Sequence, residues 1–497
     1  MVVSIMNHLY RDLVSPSYVF GAVVIVGFLY LLRYYIQDPL KTVPGPWHTK
    51  WTSLVIKYHW LKGNRARYQH NLHLKYGPLV RLAPNEVSTT SIESVKRIYN
   101  ARETYRKTPW YKDLSVTSEN LFNTSRVELH RRLRRLLSGS MSETSLEKAV
   151  PQVQAKVDLA MHRIGEEMER RGAADVIKWF LFMATDIIGE LSFGDSFRTL
   201  EIGEANGYTK DLEDLGYMGA VRSAFPTFIA LAKYLPIPFF KRPLQATKNM
   251  MRYADESIAR YRNLLDSDPT SVQWTLFTKV FQDSDRDKEA LTPIELRANA
   301  SAYIVAGSDS TAVTLTYLIW SVCRHPHVKA ALLEELSALP SDFTPAHLRG
   351  PSYLNQVLDE TLRLYSGIQS SLPRLVPDGG DDVAGHWLPG GTTVCAQAYS
   401  MHRIASVFPD PDAFDPSRWA APTREMKDSF MPFGNGSRIC IGLHLARMEL
   451  RYAAAKFLLT YPEARVSALE GFSETDMVPR IFFFEEPKAK RCLIQRF

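Results

Sequence analysis

Cysteine is scarce in this chain: 497 residues hold four, Cys323, Cys395, Cys440 and Cys492. That excludes a disulfide scaffold, fits a reducing compartment, and leaves Cys440 free to ligate a metal. Long basic runs and recognisable nucleic-acid modules are also absent. The net charge of +7 therefore points to an acidic partner or an anionic membrane surface, with no nucleic acid. No internal repeat or low-complexity tract breaks the chain. Length alone allows two or three average domains, and an apolar fraction of 45% suffices for one large core.

What is present begins with an apolar run. Leu13 to Leu32 is twenty residues without a charge, and a helix rising ~1.5 Å per residue crosses the ~30 Å core of a bilayer in that length. A cleaved signal peptide is the alternative. The length of the run, its weakly charged start and the lack of a small-x-small site before Arg33 oppose it. Tyr30, Tyr34 and Tyr35 suit the interface, and Arg33, Lys41, Lys50 and Lys57 follow, so the bulk of the chain is expected in the cytosol. The sequons at Asn123, Asn299 and Asn435 would then stay unused. The organisation expected is a lumenal 1–12, a transmembrane signal anchor at 13–32, a proline-rich hinge at 33–49 (Pro39, Pro44, Gly45, Pro46) and one large domain over 50–497.

That domain reads as mainly α with minor β. Helical periodicity covers 66–76, 92–100, 126–137, 143–170, 173–192, 248–265, 293–323, 326–338, 351–365 and 443–459. Short strands are expected at 79–82, 87–90, 374–376, 383–388 and 392–398. Residues 105–124 look irregular and carry Trp110, Tyr111 and Phe122, either a binding loop or an ordinary surface loop. The apolar, proline-broken stretch 217–240 is core or a segment dipping into a membrane.

Four constellations carry chemistry. Phe433 to Gly442 wraps glycines and Arg438 about Cys440, just ahead of a helix whose N-terminus favours an anion. A thiolate there is a nucleophile, a structural ligand or an axial ligand of haem iron, although a lone cysteine is usually a small buried hydrophobe. Glu360 and Arg363 share one helix face between apolar flanks, so they are expected to be buried and to need a third partner, which Arg418 offers from a proline-rich meander. Ala306-Gly307-Ser308-Asp309-Ser310-Thr311 weakens a long apolar helix in mid-run, making room for a small ligand and water. On the basic helix, His130 and Arg134 share a neighbouring face and suit one anion, whereas Arg131, Arg132 and Arg135 project elsewhere as a solvated or docking face.

In this order these elements resemble the cytochrome P-450 family of haem-thiolate monooxygenases over essentially the whole chain. Phe433-x-x-Gly436-x-Arg438-x-Cys440-x-Gly442 matches its haem-binding signature at every defined position, and Glu360-x-x-Arg363 with Arg418 looks like its Glu-Arg-Arg triad. The anchor and hinge are similar to the endoplasmic-reticulum-bound branch, and His130, where many members have Trp, is similar to fungal enzymes. The resemblance implies the P-450 fold and haem b, with Cys440 as axial thiolate ligand of the iron. Gly436 and Gly442 would permit the tight turn and close approach to the porphyrin. Arg438, His130, Arg134 and Arg374 would neutralise the propionates.

Asp309 and Ser310, with Thr311 beside them, would relay protons. Thr is usual where Ser310 stands, and the missing methyl that helps fix the rotamer bears on coupling. Electrons would come from NADPH through the flavins of a flavoprotein reductase, with cytochrome b5 as a second donor, docking on Arg131, Arg132, Arg135 and Arg447. Trp110, Tyr111, Tyr303, Ala306, Ile368, Gln369, Leu372 and Phe482 would contact a lipophilic small molecule, and Gln369, Ser370 and Ser371 would orient a polar group on it. The resemblance implies a tailoring step on a terpenoid, polyketide or alkaloid at the endoplasmic reticulum membrane. Two competitors remain. One is a haem-thiolate isomerase or dehydratase needing no O2, against which Asp309–Ser310 argues; the other is a non-catalytic haem-binding membrane protein.

Overall fold

Helix Pro293–Arg324 begins with a capping box: Thr292 accepts from the Glu295 N–H, Glu295 reaches back to the Thr292 N–H, and Pro293 takes the first position. Its buried residues fall on every side, among them Leu296, Ile304, Val313, Leu315, Leu318 and Val322, which suits a helix running through the core. The polar mid-run does not break it. Ser308, Ser310, Thr314 and Thr316 each donate to the carbonyl four residues back, so the hydroxyls are satisfied within the helix. Gly307 answers to packing: a Cβ there would lie 2.9 Å from Ile188 Cγ1, and its absence lets helix Val176–Phe193 lie close alongside.

In the computed structural model, described for residues 20–27, 37–114, 118–232, 238–267, 273–283 and 290–496, helices outweigh strands as expected. The expected helix at 143–170 divides into Glu143–Leu146, a 3-10 turn Glu147–Ala149 and Val150–Arg171, since Pro151 is tolerated only in a first turn. Within the irregular stretch 105–124 a short helix, Trp110–Leu114, forms. The main sheet has five strands in the order Leu79–Ala83, Glu86–Thr89, Thr393–Cys395, Arg374–Leu375 and Arg106–Lys107. The β-like stretch 383–388 is a hairpin, Asp381–Val383 with His386–Leu388, turned by Ala384 and Gly385 at positive φ. Two further small sheets near the C-terminus include Pro479–Ile481 with Glu485–Pro487. One hydrophobic core lies among the helices and a second under the main sheet.

Most of the expected anchor lies outside the described residues. Residues 20–27 are helical, with Phe20, Val23, Val24, Ile25 and Val26 exposed. Among the described residues no helix is long and apolar enough to cross a membrane. The described part of the hinge is docked rather than loose. Leu40 and Val43 are buried, buried Arg81 pairs with Asp38, and the Arg81 N–H donates to Pro44 O at 2.7 Å.

Helix Ser352–Tyr365 carries the charged pair expected from its sequence. Glu360 and Arg363 are both fully buried, joined by Nε to Oε2 and Nη2 to Oε1 at 2.8 Å each. Arg418 Nε (3.1 Å), the Asp415 N–H (2.9 Å) and Trp419 Nε1 (2.9 Å) complete five donors to one carboxylate. The rest of the Arg363 guanidinium donates to the carbonyls of His402, Pro411 and Ala413. His402 then carries the network onward. Its Nε2 accepts from the Met431 N–H at 2.9 Å, so Nδ1 holds the proton and donates to Arg363 O at 2.8 Å. Burial pushes the His402 imidazole down to about 3 and keeps it neutral. Glu360→Gln, which leaves two buried guanidinium groups facing a neutral amide, is expected to cost about 3–5 kcal/mol, seen as a lower denaturation midpoint with an unchanged m value.

Candidate active site

Met431, held by His402, opens the cysteine loop. The Gly434 N–H donates to Met431 O (3.0 Å), the Ile439 N–H to Gly436 O (3.2 Å) and the Cys440 N–H to Phe433 O (2.9 Å). The loop therefore closes on itself and hands Cys440 to the start of helix Leu443–Thr460. Gly436 has φ +65°, and a Cβ on it would lie 2.2 Å from Tyr99 O. Glycine there lets the loop lie against the 99–100 backbone. Gly442 serves differently, its N–H donating to the sulfur. Burial pushes the Cys440 thiol up, while that N–H and the Arg134 guanidinium pull it down. Of the four cysteines, only Cys440 has a bare side chain, and what bares it is the cavity of about 370 Å³ that it lines, deep enough in the fold for burial still to act on the thiol.

Basic side chains line this cavity. Arg134 donates to Ile439 O, tying the basic helix Val127–Ser138 to the cysteine loop. Arg374 donates to Tyr111 Oη at 2.7 Å and stacks over the Tyr99 ring. His130 Nδ1 meets Glu103 Oε1 at 3.0 Å, and Arg438 Nε donates to Glu103 Oε2 at 2.8 Å. Burial acts to raise the Glu103 carboxyl, but the hydrogen bonds and charges of His130 and Arg438 win and hold it at about 2. Lys107 donates to Phe122 O and lies over the Tyr111 and Phe122 rings; burial, then Arg374 and Arg438, push its ammonium well down. Glu103 and Lys107 were not foreseen. They belong to no motif, and Glu103 enters the site through a loop residue at φ +56°.

Helix Pro293–Arg324 supplies another part of the lining. Tyr303, Ala306, Asp309, Ser310 and Thr311 all line the cavity. Ser310 Oγ donates to Ala306 O at 2.6 Å, which leaves its oxygen free to accept. Gly367 lies against this turn: a Cβ on it would be 2.7 Å from Ser310 Cβ, so the chain tolerates no side chain there. Tyr111, Ile368 and Leu372 also line the cavity.

Three of the expected contact residues sit elsewhere. Trp110 packs edge-on against Trp60 at 5.6 Å. Gln369 turns into the scaffold, donating to Leu364 O and to Glu485 Oε2. Phe482 lies beside Gly63 and Arg480, while its neighbours Phe483 and Phe484 face the cavity. Ser371 donates away from the cavity to Gln69 (2.7 Å), and Ser370, which lines it, donates to Phe483 O (3.2 Å). Of the docking arginines, Arg132 pairs with Glu295 and Arg447 with Asp359, whereas Arg131 and Arg135 are exposed.

This donor set fits an iron porphyrin. Cys440 presents a sulfur into the cavity, and Lys107, His130, Arg134, Arg374 and Arg438 line it, with Glu103 bonded to His130 and Arg438. Arg438 Nη2, 2.7 Å from Glu103 but misaligned, has no hydrogen-bond partner. Arg134, Arg374 and Arg438 still outnumber Glu103, and such a surplus of positive charge away from water requires anions, which two propionates would supply. The group itself would be held by Cys440, Arg438, His130, Arg134, Arg374 and Lys107.

Beside the site, burial pushes the Glu485 carboxyl up to about 8 against the opposing effects of Arg403 and Gln369. Its folded value exceeds the unfolded one of 4.5, so between these the unfolded chain gives up a proton that the folded chain keeps. Stability must then fall as pH rises from about 5 to 8. Glu485→Gln is expected to flatten this loss in denaturation midpoints taken across that range; parallel profiles for wild type and variant would contradict it.

The geometry agrees with what the chain is similar to. The cytochrome P-450 family profile matches residues 44–473. A cytochrome P-450 monooxygenase from Aspergillus terreus, tazI, is 44% identical over 95% of this chain and 98% of its own length. Another from Aspergillus niger, orf2, is 40% identical over 96% and 97%. The crystal structure of the cytochrome P-450DA haem domain superposes with a TM-score of 0.74 at 19% identity, covering 92% of this chain and 98% of that one, which bears on fold alone. This chain belongs to the cytochrome P-450 family and is an oxygen-incorporating oxidoreductase.

Proposed function

We propose that this monooxygenase inserts one atom of O2 into a lipophilic small molecule, using electrons from NADPH delivered by a flavoprotein reductase, as a tailoring step in specialised metabolism. The observation that carries the proposal is one cavity lined both by Cys440 and by Asp309, Ser310 and Thr311. Haem bound there supplies oxygen activation. The chain's own residues do the rest. Leu121, Phe122, Ile368, Leu372 and Phe483 bound the cavity with apolar surface that holds a lipophilic body and excludes water. Asp309 takes up a proton from the solvent side, and Ser310 Oγ, able to rotate from Ala306 O, passes it into the cavity. Arg131 and Arg135, exposed on the Val127–Ser138 helix, suit an acidic reductase face.

We also propose that the chain works on the endoplasmic reticulum membrane, anchored by residues 13–32, which the hydropathy of that run supports. Trp47, Trp51, Leu54 and Tyr58 are exposed on the first described segments after the anchor, and Phe228 and Leu231 are exposed on helix Pro226–Ala232. The two regions adjoin. Trp60 Nε1 donates to Ala220 O at 3.0 Å and Lys57 lies over the Phe225 ring. Such an apolar face beside the anchor favours an interfacial position.

Purified protein with reductase, NADPH and 18O2 is expected to incorporate one labelled oxygen into any lipophile that shifts its haem spectrum. Asp309→Asn is expected to slow that incorporation roughly 10²-fold without changing the amount of haem bound. A product formed without O2, or without label, would favour an isomerase or dehydratase.

A further inference from the structure

We propose, on the monooxygenase reading of this cavity, that Arg222 forms an oxyanion subsite in its wall, so that the substrate carries a carboxylate or an ionised enol. Arg222 lies on helix Gly207–Ala224, is half-buried, and lines the same cavity as Cys440. Its Nε donates to Asp113 O and its Nη2 to Leu114 O, at the end of helix Trp110–Leu114. One turn earlier on its own helix, Gly219 removes the side chain that would meet Leu114 O at 3.1 Å. The two helices therefore lie in close contact, and the guanidinium is fixed in place.

Those contacts use two of the five N–H groups, and both acceptors are uncharged carbonyls. Among the described residues Arg222 makes no ion pair; Asp113 acts on it through its charge without a hydrogen-bonded carboxylate. Burial pushes the guanidinium down to about 10 despite Asp113, so it stays charged at neutral pH. As a clamp on the short helix, Arg222 needs only the two bonds it has. The remaining N–H edge is available to a planar two-oxygen acceptor, the geometry that a guanidinium binds best.

The rest of the cavity sharpens the class. Its other basic side chains, Lys107, His130, Arg134, Arg374 and Arg438, are engaged around Glu103, Tyr111, Phe122 and the cysteine loop, and Arg222 touches none of them. Apolar wall residues such as Leu121, Phe122, Ala302, Ile368 and Phe483 make up much of the remaining lining. A wholly apolar ligand would leave a cation desolvated against it. A ligand with an apolar body and one oxyanion end satisfies both surfaces, and it orients the body toward Cys440 with a fixed end.

The test is a spectral titration of the ferric haem-loaded protein with two matched probes, dodecanoate and methyl dodecanoate, below their micellar concentrations. Wild type is expected to bind the acid roughly tenfold more tightly than the ester, the worth of one charge-assisted contact, with the preference shrinking at high salt. Arg222→Gln is expected to lose that preference while keeping its affinity for the ester, and Arg222→Lys to keep part of it. Equal binding of acid and ester by wild type, no response to dodecanoate, or an acid preference that survives in Arg222→Gln would overturn the assignment. Because the readout needs bound haem but neither electrons nor oxygen, its failure is distinct from failure of oxygen insertion, which the labelling experiment reads.

Discussion

The Glu360–Arg363 pair is the constraint on which the reactive geometry depends. Two charges fully removed from water would be costly alone, and here almost every available donor and acceptor is met: five donors on one carboxylate, three carbonyls on the guanidinium. Those partners come from separate chain segments, so the pair acts as a knot joining helix Ser352–Tyr365 to the meander around residues 402–419. His402 transmits the constraint. Accepting from the Met431 N–H and donating to Arg363 O, it fixes the entry of the cysteine loop relative to the buried ion pair. The loop's own hydrogen bonds then carry the position to Cys440.

Around that thiol the charge distribution is lopsided in a useful way. Lys107, His130, Arg134, Arg374 and Arg438 line the cavity, and Glu103 answers only part of that charge, through His130 and Arg438, an arrangement suited to two anionic arms of a cofactor. Glu103 also holds the imidazole by Nδ1, which fixes the ring while burial pushes its pKa down. On helix Pro293–Arg324 the departure from the usual Thr has a local context. Gly367 crowds Ser310 so closely that no Cβ fits on residue 367, and the hydroxyl is held by a back-bond to Ala306 O.

What could be read without coordinates was whatever depends on short sequence spacing. The i, i+3 relation of Glu360 and Arg363, the glycine-framed Cys440 and the basic stripe with His130 and Arg134 are local patterns whose geometry a helix or a tight loop dictates. The fold class was legible for the same reason, from long apolar periodicities such as 293–323. Other features were not. Whether Gln369 faces a cavity or the scaffold depends on one turn of irregular backbone and on distant Glu485. Likewise a one-residue step in the 482–484 segment exchanges Phe482 for Phe483. Glu103 becomes part of the site through a positive-φ loop, and Arg132 and Arg447 look free until Glu295 and Asp359 are folded beside them. Tertiary pairing decides such cases, and no periodicity encodes it.

The central claim is that this scaffold exists to present the Cys440 thiolate to haem iron. The most direct measurement is the absorption spectrum of the reduced protein under carbon monoxide. The account predicts the red-shifted band of thiolate-ligated haem in wild type, its retention in Cys323→Ala and its loss in Cys440→Ala. Absence of that band from the haem-loaded wild type, or its persistence in Cys440→Ala, would contradict the account.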